Sequence, residues 1–398
     1  MPAAERYDVA IVGGGLVGAS LAAALGRAGL AVALIEPSPQ TRAGDEWDSR
    51  IYAISPSSRE FLGALGAWDR LEPRRVQPVV RMEIYGDTAD AALEFGAYDA
   101  GVATLAFIVE SGRLASALWD TLGGAANVHR FAPARCERLE VEADAATLTL
   151  ADGTQIRAAL VVGADGAQSW VRRAAGLTAR AAGFGQLGVV ANFATAKPHD
   201  STAFQWFRPD GVLAYLPLPG NRMSMVWSTA EAHGRELLGL GPDAFAARVA
   251  EAGQGTLGDL TLITPPQAFP LQSLAAESMI GRRAVLIGDA AHVVHPLAGQ
   301  GVNLGFGDAR ALAETLAARE PFRDCGDRVL ARRFERARAE PIWAMRTVTD
   351  GLAQLFALRG AAAARVRNRG LAWTDRLVPV KNLLIRQAIG SSSSWGTQ

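Results

Sequence analysis

The chain has 398 residues, 49% hydrophobic and 20% charged, an ordinary globular balance with length for about two domains. Forty basic residues balance forty acidic ones, so no cationic surplus exists to displace counterions, which excludes a general nucleic-acid role. Cys136 and Cys325 stand far apart outside any CxxC pattern, and only five histidines occur. That usage suits reduced thiols in a cytoplasmic protein with few candidates for a metal site.

No charge interrupts residues 9–26, a length that suggests a membrane span or a signal peptide. Glycines at 13, 14, 15, 18 and 26 make a poor apolar helix, and Glu5 and Asp8 accompany Arg6 where a basic lead-in would stand. A buried strand over residues 7–12, a helix over 17–28 and a second strand over 31–35 account for the run as a βαβ unit. Beyond it the pattern predicts a helix at 56–65, strands within 79–96, an apolar run at 102–109 and a helix over 112–122. Residues 134–150 alternate as antiparallel strands, Asp152-Gly153 is a hairpin turn, and 160–163 is a short buried strand. Residues 184–228 are β-rich and aromatic, and a helix follows at 242–252. A strand at 284–287 leads through a glycine-rich stretch into a helix over 302–319. The chain past Cys325 reads as helical, and the serine-rich end as a disordered tail.

Three motifs carry chemistry. The first, Gly13-Gly14-Gly15-Leu16-Val17-Gly18, is a GxGxxG between strand and helix. Gly13 permits the turn, Gly15 lets backbone approach a pyrophosphate, and Gly18 lets helix and strand pack closely, while the helix N-terminus offers amides and dipole. Glu36 closes the second strand, where a carboxylate accepts from a ribose hydroxyl. This fingerprint does not separate FAD from NAD. The second motif runs from Val162 through Gly163, Asp165 and Gly166 to Arg172; the third is Gly288-Asp289-Ala290-Ala291-His292.

The ordered trio resembles the GxGxxG, DG and GD motifs of flavin-dependent aromatic hydroxylases. The likeness narrows at Asp48-Ser49-Arg50-Ile51-Tyr52-Ala53-Ile54-Ser55 and at His295-Pro296-Leu297-Ala298-Gly299-Gln300-Gly301-Val302-Asn303. With Phe107-Ile108-Val109-Glu110 and Leu213-Ala214-Tyr215-Leu216-Pro217-Leu218, these resemble the FAD-dependent hydroxylases of ubiquinone biosynthesis, over about residues 7–320.

The resemblance implies an α/β fold like that of para-hydroxybenzoate hydroxylase. A Rossmann-type FAD domain (1–75, 100–178, 272–330) intertwines with a β-rich substrate domain (76–99, 179–271), followed by C-terminal helices (331–390) and the tail (391–398). It implies that Asp165 and Asp289 contact FAD, Asp289 at the ribityl chain, and that Arg50 and Arg113 lie against it. Ser111 stands before Gly112-Arg113 where the family often has Asn, so the Arg113 contact rests on a less intact motif. NAD(P)H, directly or through a reductase, reduces the flavin, and oxygen adds to form a C4a-hydroperoxide that an electron-rich ring attacks. The substrate class is a polyprenylated phenol; the same chemistry on a small soluble phenol or aromatic acid, or a silent flavoprotein scaffold in a biosynthetic complex, are the alternatives.

Read physically, Pro296 and the glycines at 299, 301 and 305 leave amides unobstructed at a helix start, where they and Asn303 would stabilise the reduced-flavin N1–C2=O edge. Pro296, Gly299, Gly301 and Asn303 are therefore the expected catalytic positions, with Val302 beside the cofactor. Asp289, His292 and His295 recur at metal-ligand spacing, but straddle a strand-to-loop junction, so no metal is expected. Phe204, Trp206, Tyr215 and Pro217 are candidate pocket walls, although aromatic strands also form cores. Seven cations between residues 351 and 389, with Leu371, Trp373 and Leu377 among them, suit peripheral contact with an anionic membrane or a helix capping the flavin domain.

Overall fold

The computed structural model describes residues 5–40, 42–86, 92–99, 101–294 and 301–357. The first strand, Glu5–Val12, lies at the centre of an eight-stranded sheet, parallel to Val32–Ile35 on one side and Gln155–Gly163 on the other. Ala284–Leu286 extends the parallel set beyond Gln155–Gly163. At residues 9–12, 32–35, 158–163 and 284–286 this parallel set is buried on both faces, which is why these stretches read as nearly unbroken Val, Ile, Leu and Ala runs rather than alternating ones. The helices Leu16–Arg27 and Gly301–Ala317 pack against each other over this sheet.

The expected strand at 160–163 is the end of a longer one, Gln155–Gly163, whose first half pairs antiparallel with Ala146–Leu150 across the Asp152-Gly153 turn. Gly153 holds φ at +85°, the conformation such a hairpin needs.

A nine-stranded sheet forms the second layer system. Its backbone is the antiparallel series Gln267–Ala276, Ala179–Thr195, Arg222–Ala230, Gly211–Leu218 and Thr202–Arg208, continued by Arg81–Tyr85 and Ala92–Gly96. The strand Gln267–Ala276 crosses the expected boundary at residue 271, and His292–Val293 joins its far end. The chain thus passes between the two sheets several times. The helix Pro242–Ala252 covers one face, and a small sheet of Ile51–Ile54, Gln77–Val79 and Ala106–Glu110 approaches the other.

No helix among the described residues is long and apolar enough to cross a membrane. The helix Arg328–Ala357 runs through Pro341 and packs back on Gly301–Ala317. The expected basic C-terminal surface, from Arg359 onward, lies outside the described residues.

Candidate active site

The glycine fingerprint is built as a phosphate cradle. Gly13 sits at φ +104°, and a Cβ there would meet the carbonyl of Ala164. A Cβ on Gly18 would run into the carbonyl of Gly13, so helix and strand touch only because both lack side chains. Gly15 differs: it caps the helix, and a Cβ on it meets nothing within 4 Å. Its exposed backbone, with Leu16 and Val17 opening the helix, is the face an anion can approach.

Glu36 leaves the second strand and accepts from the Gly14 amide at 2.7 Å and the Ser38 amide at 3.0 Å. Trp119 Nε1 donates to the Gly14 carbonyl at 2.8 Å, bracing the turn from behind. Each Glu36 oxygen retains a lone pair for a ribose hydroxyl.

The DG and GD carboxylates are arranged differently. Asp165 Oδ2 accepts from the amides of Trp170 and Val171 at 2.7 and 3.0 Å, while its buried Oδ1 has no partner among the described residues. Asp289 is exposed, and neither of its oxygens has a protein hydrogen-bond partner among the described residues. The protein surrounding it pushes its pKa up by desolvation, against the pull of His292 and Arg50. An orphaned buried oxygen, an unpaired carboxylate and an open Gly15 backbone together fit a polyol and pyrophosphate ligand.

Beneath Asp289 lies a charged cluster that motif reading missed. Asp308, wholly buried, accepts from the Gly288 amide at 2.9 Å, from His292 Nε2 at 2.6 Å and from Arg338 Nε at 2.7 Å. Burial raises its pKa, but His292, Arg338 and the Gly288 N–H outweigh that and leave it lowered. Asp308 thereby fixes the turn that presents Asp289. Its signal was present in the sequence, as the lone acid in the apolar run 301–313. His292 is turned to this carboxylate rather than toward Asp289 as a co-ligand, and His295 lies outside the described residues.

The loop before the third strand is pinned from several sides. Asp48 Oδ1 and Oδ2 accept from the amides of Arg50 and Gly112, each at 2.9 Å, and its own amide donates to Glu110 at 2.9 Å. Glu110, 1% exposed, holds Arg75 bidentately at 2.7 and 2.8 Å, and the Arg75 guanidinium lies 3.8 Å from the centre of the Trp47 ring. Arg113 turns into the same network: its three nitrogens reach Glu110, Glu72 and Gly44. Arg50 is exposed instead, and its guanidinium lies 5.2 Å from the centre of the Phe269 ring.

Asn303 joins the helix Gly301–Ala317 to the strand Ile51–Ile54. Its Oδ1 accepts from the Ser55 amide at 2.9 Å, and Nδ2 donates to the Ala53 carbonyl at 2.8 Å. Gly301 and Val302 open that helix. Pro296 and Gly299 lie outside the described residues.

The expected pocket walls require correction. Phe204, Trp206 and Tyr215 point away from the flavin domain, into a core with Trp227, Phe193 and Phe245 under the helix Pro242–Ala252. Tyr215 Oη donates to the Val249 carbonyl at 2.5 Å. Pro217 shares their strand parity. Side chains alternate across a strand, so the opposite face carries Val190, Gln205, Ala214, Leu216, Ser224 and Val226. Leu216 packs toward Trp47, Ile51 and Ala53, which identifies this second face as the one turned to the flavin domain. Beside it a cleft of ≈ 500 Å³ opens between Trp47, Asp48 and Ser49 and residues Ile263, Thr264, Pro265 and Gln267.

The FAD binding domain family matches residues 6–348. The chain belongs to this family of FAD-dependent monooxygenases. It is 35% identical to the ubiquinone hydroxylase UbiL of Rhodospirillum rubrum, over 96% of this chain and 90% of that protein. To the 3-demethoxyubiquinol 3-hydroxylase of Escherichia coli it is 34% identical, covering 97% of this chain and 99% of the relative. Among solved structures, the Pseudomonas aeruginosa FAD-dependent monooxygenase PqsL superposes with a TM-score of 0.77 at 25% identity, over 93% of this chain and all of that one. The para-hydroxybenzoate hydroxylase-like fold and the FAD cofactor follow, with NAD(P)H as the reductant typical of the family. In this FAD-dependent hydroxylase Gly15, Glu36, Asp165 and Asp289 stand on the loops after the parallel strands, where an open α/β sheet binds ligands.

Proposed function

We propose that this hydroxylase oxygenates the ring of a polyprenylated phenol in ubiquinone biosynthesis. The observation that carries the substrate class is the face turned to the flavin domain. Its central residues Val190, Ala214, Leu216 and Val226, with Gln205 and Ser224, hold no charge, and the cations at its margins, Arg222 and Arg50, lie 5.6 and 5.2 Å from the centres of the Trp47 and Phe269 rings. An aromatic acid needs a cation for its carboxylate, because an unpaired buried charge is strongly disfavoured. A prenylated phenol needs only apolar wall and a few neutral polar groups.

In this reading Gly15, Glu36, Asp165 and Asp289 hold FAD, with Arg50 against it. Bound there and reduced by NAD(P)H, FAD would supply the activated oxygen that is inserted into the ring. The protein's part is placement. Asp308 locks the Gly288–Asp289 turn, Asn303 locks the helix start to the strand Ile51–Ile54, and Glu110 locks the loop that carries Arg50. The helix start at Gly301 and Val302 would face the flavin edge where negative charge accumulates.

The test is deletion of the gene, followed by mass spectrometry of the lipid extract with and without the restored copy. Accumulation of a prenylated phenol lacking one hydroxyl, cleared on complementation, is expected. Unchanged quinones, with any sister hydroxylase also deleted, would sink the assignment and favour a small soluble phenol.

A further inference from the structure

The cleft beside Trp47 meets the sheet face turned to the flavin domain. Gln267, on one wall, is the register partner of Val190; Val190 also stands opposite Val226, and Val226 opposite Ala214. Residues directly opposite on paired strands share a face, so this row crosses the apolar centre and ends in the cleft. Trp47, on the other wall, packs on the same small cluster as Leu216, around Val79, Ile108 and Leu218.

The two walls are held at a set spacing from the sheet below. Asn192, wholly buried, donates from Nδ2 to the Asp48 carbonyl of one wall at 2.8 Å. Its backbone amide donates to Thr264 Oγ1 of the other at 2.9 Å. The Arg75 guanidinium, itself held by Glu110, lies 3.8 Å from the centre of the Trp47 ring and steadies the indole.

The lining suits a neutral chain. Trp47, Ile263 and Pro265 offer apolar surface, and Ser49, Thr264 and Gln267 carry no charge. The Asp48 carboxylate is engaged by the amides of Arg50 and Gly112, and Glu46 is exposed to solvent. A volume of ≈ 500 Å³ lies within the range of small-molecule sites.

We infer that this cleft takes the isoprenoid tail of the substrate. With the ring over Val190, Val226 and Leu216, the tail leaves past Gln267 and Trp47 and lies along Ile263 and Pro265 toward solvent. This rests on the reading that the substrate is a polyprenylated phenol. Because the cleft is open outward, only the first part of the tail is held, and one site serves tails of different length. Burial of that part favours prenylated phenols over bare ones.

The experiment uses FAD-loaded protein and phenols of one head group, bare or with tails of increasing length. Dissociation constants are read from flavin fluorescence. In wild type each isoprene unit that enters the cleft should tighten binding by about tenfold. Ile263→Glu and Pro265→Glu should each flatten that rise with FAD content retained, and Ile263→Leu should preserve it. Pro265 is exposed, so its variant sets a charge in the cleft without disturbing a core. A rise left intact in both glutamate variants would overturn this assignment alone. So would an intact rise with weakened flavin reduction by NAD(P)H, which would give the cleft to the reductant. Wild-type affinity that does not rise with tail length would overturn the polyprenyl reading and this inference together.

Discussion

The two faces of the nine-stranded sheet come from alternate residues of the same strands, yet one is a core and the other borders a chamber. The first packs Phe193, Trp206, Tyr215 and Trp227 beneath a helix. The second offers partly accessible Val190, Ala214, Leu216 and Val226 to the flavin domain. Size and aromaticity mark the face that must be filled; small and uncharged side chains mark the one that must stay open. Substrate-facing residues are therefore found by strand parity, not by aromatic content.

The largest effect expected from breaking this contrast is on the core face. Trp227→Ala removes a wholly buried indole and should cost about 3–5 kcal/mol of stability, seen in denaturant unfolding, with phenol affinity of the folded fraction unchanged. On the other face, Leu216→Arg should cost far less stability and abolish prenylphenol binding, while admitting aromatic carboxylates. Equal losses of stability from both variants would contradict the assignment of faces.

The two carboxylates of the GD region sharpen the same contrast between framework and function. Asp308→Ala strands Arg338 and His292 and should cost about 3–5 kcal/mol. Because its pKa is lowered in the fold, the stability Asp308 contributes is present above the unfolded value and lost as pH falls through the folded one. Asp289 has the opposite sign. Its pKa is raised, so its ionisation weakens the FAD-free fold as pH rises past the ordinary 3.8. Asp289→Asn should therefore stabilise the FAD-free protein at neutral pH and weaken FAD binding. Melting curves with and without FAD separate these outcomes.

The smallest effect concerns the thiols. Burial pushes Cys136 up to about 12, with help from Asp165, and Cys325 up to about 11. Neither should react with a thiol reagent at neutral pH in the folded protein. Rapid labelling there would mean that the flavin domain opens near Cys136.

The βαβ unit was legible because its signals are local: an apolar strand, a glycine turn whose spacing follows from backbone contact, and an acid at the next strand end. The helix over 242–252 and the hairpin turn at Asp152-Gly153 were legible for the same reason. The aromatic strands misled because periodicity shows that residues alternate without showing which side faces the cofactor. That depends on where the helix Pro242–Ala252 folds. The pairs Asp308–Arg338 and Glu110–Arg75 span 30 and 35 residues of sequence, so no local pattern announces them; Asp308 was visible only as a lone acid in a mainly apolar helix, with nothing to name its partners. Arg113 reads as a flavin contact in its motif, but its guanidinium is drawn to Glu72 and Glu110.

The central claim, ring hydroxylation with the substrate held on the apolar centre of the sheet face, is tested most directly by a single incubation. FAD-loaded protein, NAD(P)H and isotopically heavy dioxygen would be supplied with a short-chain prenylphenol, and the product analysed by mass spectrometry. The prediction is one heavy oxygen atom on the ring, with formation lost in Leu216→Arg and retained in Tyr215→Phe. Oxidation of NAD(P)H without labelled product, or a labelled product whose yield is insensitive to Leu216→Arg, would contradict the account.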